Sequence, residues 1–168
     1  MTRSANEVMN LAAKAARGAG CPPGQAADFG RAVVCHLIAG RDVAHLRRAL
    51  AALPAGPILA LPLAFARVIE GAIDGAANGI VPCDGGGAAA LTQSYAEALP
   101  FAQASTLSSE GLRIAIDITQ PARVHISARV DLPDDLAKWM AELAARTFVP
   151  ESEASRLAGA GAGLTDND

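Results

Sequence analysis

Two segments near opposite ends of the chain set a cation beside closely spaced glycines: Lys14-Ala-Ala-Arg-Gly-Ala-Gly20 and Ser155-Arg-Leu-Ala-Gly-Ala-Gly-Ala-Gly163. Glycine lets consecutive backbone amides turn toward one point, and an amide nest beside a guanidinium holds an anion. Lys14, Arg17, Gly18 and Gly20, with Arg156, Gly159 and Gly161, are therefore candidates for gripping a small carboxylate or phosphate. The plainer reading makes the first segment a helix cap and the second a chain terminus. Neither has the spacing of the phosphate loop of nucleotide triphosphatases or of the dinucleotide-binding glycine turn.

The remaining reactive residues are scattered. His36, His45 and His125 fall in different segments, and no two are four apart, the spacing that puts two ligands on one helical face. The sequence thus predicts no metal and no cofactor. Asp117 and His125 could form the orienting half of a base dyad, although no Ser or Cys is placed as its nucleophile. An enzyme would centre on His45 or His125. In Cys83-Asp-Gly-Gly-Gly87 the glycines follow the thiol instead of flanking it, which reads as a loop and not a catalytic elbow.

Composition narrows the setting. Cys21, Cys35 and Cys83 are odd in number and widely spaced, against a disulfide framework. The first seven residues reach Glu7 too early for a secretory signal, so the expected location is cytoplasmic. A net charge of −3, with Arg47-Arg48 as the one arginine step, leaves no electrostatic footprint for nucleic acid. The 18 uncharged residues between Arg48 and Arg67 suit a membrane span by length, but Pro54, Gly56, Pro57 and Pro62 break them, so no membrane partner is expected.

These residues must be positioned by one domain, residues 1–168, with a glycine-rich tail at about 151–168. Ser4-Ala-Asn-Glu7 is a capping box opening a helix that Gly18 stops. A second helix is expected from Gly24 to Ala39, with Phe29, Val33 and Leu37 inward. A third, capped by Asp42, carries Leu46, Leu50 and Leu53. A fourth has Pro62 in its first turn, and Phe65, Val68, Ile69 and Ile73 face inward up to Gly75.

Alternation then predicts strands at Leu112–Ile118 and Val124–Val130, joined as a hairpin that sets Ile118 against Val124, Asp117 against His125 and Arg113 against Arg129. Residues 88–99 suit a helix by propensity and an edge strand by position. The strand is preferred, because two strands alone rarely make a stable sheet. Pro133 with Asp134 and Asp135 opens a last helix whose inward face is Leu136, Trp139, Met140 and Leu143. Trp139 would serve the core or a homo-oligomer contact. The expected fold is α+β: a helical first half, an antiparallel sheet of three or more strands, and a C-terminal helix packed on it. With 39 alanines, the core depends on a few large residues, notably Phe29, Phe65, Ile114, Ile116, Ile126 and Trp139.

Ser4-x-Asn-Glu7, Lys14-Ala-Ala-Arg-Gly-Ala-Gly20, Thr147-Phe-Val-Pro150, Glu153-Ala-Ser-Arg156, Gly159-Ala-Gly-Ala-Gly163 and Asp166-Asn-Asp168 together resemble a bacterial domain-of-unknown-function family over nearly the whole chain. That resemblance implies no activity, cofactor or catalytic residue. Ala15-Ala-Arg-Gly-Ala-Gly20 through Gly40-Arg-Asp-Val-Ala-His45 is locally similar to the helical start of the non-Rossmann malate/L-lactate dehydrogenase family. That likeness implies an oxidoreductase using His45, although the serine and the final glycine of the family's motif are absent here. Spacing and charge favour a domain that binds a small anionic ligand or a protein partner.

Overall fold

The computed structural model describes residues 2–122 and 129–147. The elements follow in the order β1 (Thr2–Ser4), α1 (Ala5–Gly18), α2 (Pro23–Ile38), α3 (Ala44–Ala51), α4 (Pro57–Glu70), β2 (Ala76–Val81), α5 (Gly87–Glu97), β3 (Phe101–Ser108), β4 (Gly111–Pro121), β5 (Arg129–Asp131) and α6 (Asp134–Ala145). The architecture is α+β, with a helical first half, a three-stranded antiparallel sheet in the order β2-β4-β3, and a separate β1-β5 pair. No helix among the described residues is long and apolar enough to cross a membrane.

The first helix starts as its sequence dictates. Glu7 N donates to Ser4 Oγ at 3.1 Å and Ser4 N to Glu7 Oε2 at 2.9 Å, so two amides that a helix start leaves orphaned are satisfied reciprocally. At its other end Gly18 permits a close crossing with α6. A Cβ on Gly18 would lie 1.8 Å from the Leu143 carbonyl oxygen, so only glycine fits. Asp42, expected to cap α3, lies one residue before its N-cap Val43 and accepts from Ala44 N at 2.9 Å in the turn that leads into it, and Leu46 and Leu50 are buried as their spacing requires.

Four expectations are corrected. Within residues 88–99 the chain is helical as far as Glu97, in α5, and not a strand, because Leu91, Thr92, Ser94, Tyr95 and Ala96 are buried on a helical period and the alanine-rich segment favours helix. Pro62 lies inside α4, which Pro57 opens at its first turn, and Ile73, expected inward, sits in the turn after it, 75 % exposed. The expected pairing of Arg113 with Arg129 is not made, and residues 124–128 of that hairpin lie outside the described residues. Both edges of β4 are taken, so Arg113 faces Ile80 on β2 and Thr106 on β3, while Arg129 and Val130 pair with Ser4 and Arg3 of β1. Helix α6 takes α1 as its main neighbour, where a seat on the sheet was expected.

The alternation within β4 is as read: Leu112, Ile114 and Ile116 are buried, with Ala77 and Val81 beside them on β2, and α4 and α5 cover that side. Phe29, Phe65, Ile114 and Ile116 lie in the core. Trp139 is half-buried with the Arg47 guanidinium 5.8 Å from its ring centre, and Ile126 lies outside the described residues.

Candidate functional site

The run Gly85-Gly86-Gly87 carries the chain from β2 into α5. Gly86 is the N-cap with φ of 69°, a conformation L side chains avoid, and no side chain among the described residues caps this helix start. The first amides of α5 therefore keep their donors, and the aligned peptide dipoles add positive potential there. Helix α3 brings His45 and Arg48, three residues apart and so on one face, over this point. A Cβ on Gly87 would lie 2.6 Å from Arg48 Nη2 and 2.9 Å from His45 Nε2, so the missing side chain is what lets both groups close on the helix start. Beside them is a cavity of about 220 Å³ walled by Ala49, Pro57, Ala88 and Leu91. A guanidinium, an imidazole and free amides thus meet at one end of a small apolar-walled space, an arrangement suited to an anion.

A buried network fixes this geometry. His36 is 0 % exposed, its Nε2 donates to the Asp42 carbonyl at 3.0 Å, and its Nδ1 lies 2.8 Å from Ser94 Oγ, whose hydroxyl also lies 2.9 Å from the Ala90 carbonyl oxygen. Burial holds His36 below its ordinary pKa. The nearby Arg41 and His45 push the same way, while the Asp42 carbonyl opposes them, so the ring is neutral near pH 7. Arg41 donates to Ser94 Oγ at 3.0 Å and to both carboxylate oxygens of Glu97, at 2.7 and 2.5 Å. These bonds tie the α2–α3 connection to α5. The His45 ring stands edge-on to His36 with centres 5.7 Å apart, so the network also orients the site's imidazole.

The residues singled out from sequence are not brought together here. Lys14 and Arg17 are exposed on α1, Gly18 is spent on the α6 crossing, and Gly20 N donates to Arg17 O at 3.0 Å within the helix cap. Arg156, Gly159, Gly161 and His125 lie outside the described residues. Asp117, the expected partner of His125, accepts from Thr119 N at 2.9 Å and Thr119 Oγ1 at 2.6 Å, and these bonds hold its carboxyl below the usual range. Burial pushes Cys35 up to about 11, which keeps it a thiol at neutral pH. No group of three or more His, Cys, Asp or Glu converges among the described residues.

Of the expected residues that the structure describes, only His45 lies at this point. From sequence Arg47-Arg48 is too short a basic step to mark a patch and the glycine run reads as a loop; the helix that follows the glycines and the seat of α3 beside it give the two a common place. Compared with protein-family models, curated proteins and solved structures, the chain gives no match.

Proposed function

We propose that this protein binds a small anionic ligand, phosphate or carboxylate, at the start of α5. One observation carries the reading: Arg48 Nη2 and His45 Nε2 lie within 3 Å of the Cβ position that Gly87 leaves empty, at a helix start with no side-chain cap among the described residues. Glycine at this position admits the cation and the anion to one place, and the amides of the first turn supply further donors. The apolar walls of the cavity suit an anion with a small hydrocarbon body. A cytoplasmic setting, where thiols stay reduced and small anions are abundant, accords with the three free cysteines.

The reading is tested by thermal shift with inorganic phosphate, citrate and nucleotides. A ligand at a hundred times its Kd adds about 2.7 kcal/mol of stability, which raises the melting temperature by about 5–10 °C for a chain of this size. Arg48→Gln should remove most of that rise. Equal shifts in the wild type and the variant would refute the site. A response confined to nucleotides would favour the enzyme reading centred on His45.

A further inference from the structure

We propose that the cavity between α2, α4 and α5 binds an apolar α-amino acid, with Asp28 receiving its ammonium group, Arg31 its carboxylate, and Phe65, Ile69 and Leu99 its side chain. This site is distinct from the start of α5 and does not depend on it.

The cavity holds about 210 Å³. That exceeds the ~150 Å³ in which a benzene ring fits, so its size suits a branched aliphatic or single-ring aromatic side chain. Its walls are apolar except at Asp28, Arg31 and Tyr95. The fitting ligand is therefore hydrocarbon at one end and carries both signs of charge at the other. Asp28 and Arg31, three apart on α2, pair with each other at the rim while the cavity is empty. Their side chains are 36 % and 47 % exposed, and an exposed pair is weak enough for each partner to turn to a ligand. A bare carboxylate would be repelled by Asp28 and a bare amine by Arg31, whereas a zwitterion satisfies both.

Tyr95 adds a second observation. It is 3 % exposed, and its hydroxyl has no hydrogen-bond partner among the described residues. Burial first, and then the charge of Asp28, push the phenol up, so Tyr95 keeps its proton and remains an unspent donor among the residues that line the cavity.

The test is calorimetric titration of the full chain with leucine and phenylalanine, and with 4-methylpentanoate and 3-methylbutylamine, which each lack one charge. At least one amino acid should bind saturably at one per chain, with both half-analogues at least tenfold weaker. Asp28→Asn and Arg31→Gln should each weaken binding at least tenfold. Ala66→Leu, which fills the cavity from an exposed position on α4, should abolish binding while the melting temperature holds. Arg48→Gln should leave this affinity unchanged, so a failure at the start of α5 and a failure here are read separately. Absence of saturable heat with both amino acids, half-analogues that bind equally well, or binding that survives Arg31→Gln would overturn the proposal.

Discussion

At the residue scale the most constrained side chain is His36. Its folded pKa is depressed, chiefly by burial, so the unfolded chain binds the proton more readily than the folded one. The stabilisation is therefore complete above the unfolded value of about 6.5 and is lost as pH falls from there through the lower folded value. One proton sets the maximum slope at about 1.4 kcal/mol per pH unit. Chemical denaturation of the wild type between pH 7.5 and 5 should show stability falling below about pH 6.5, with His36 contributing at most this slope, and His36→Gln, which cannot titrate, should flatten it. A slope that persists in the variant would place the acid sensitivity elsewhere. None of this was legible in the sequence, where His36 is one of three scattered histidines. Its role depends on Ser94, 58 residues away, and on a carbonyl.

At the element scale two contacts decide the arrangement. The α1–α6 crossing rests on Gly18, since a methyl group there would overlap the Leu143 carbonyl. Gly18→Ala should cost about 1–3 kcal/mol, the usual penalty for overpacking, read as a drop in denaturant midpoint. A change below 0.5 kcal/mol would mean the helices part freely. Helix α5 is the other. Leu91 is 2 % exposed beneath it, and Leu91→Ala should destabilise by about 2–5 kcal/mol. The capping box, the second and third helices and the alternation of β4 could be read from sequence, because each is set by neighbours within a few residues. Helix α5 and the partners of β4 could not. The alanine-rich segment satisfied two patterns at once, and only the burial of Thr92, Ser94 and Tyr95 separates them. The pairing of Arg113 with Arg129 could not be read, because alternation says nothing about which strand lies alongside, and β2 and β3 occupy both edges of β4 at Arg113.

At the scale of the whole molecule, an alanine-rich chain folds around few large side chains. Phe29 and Ile114 are at most 1 % exposed, and truncating either to alanine should cost about 2–5 kcal/mol of a total of roughly 5–15. The candidate anion site follows from how this core is assembled. The buried network sets α3 against α5, and the α3–α5 contact closes His45 and Arg48 over Gly87. Sequence points to cations beside glycines that are neighbours in the chain, whereas the proposed site joins a cation and a glycine that are distant in it. The pair that meets in space is separated by some forty residues, and its glycines gain meaning only once a helix follows them.

The most direct test is an amide NMR titration with inorganic phosphate. Saturable shifts centred on Gly86 to Ala89, lost in Arg48→Gln, are the expected result. Shifts centred instead on Arg17 to Gly20, or none at any amide of the α5 start, would contradict it.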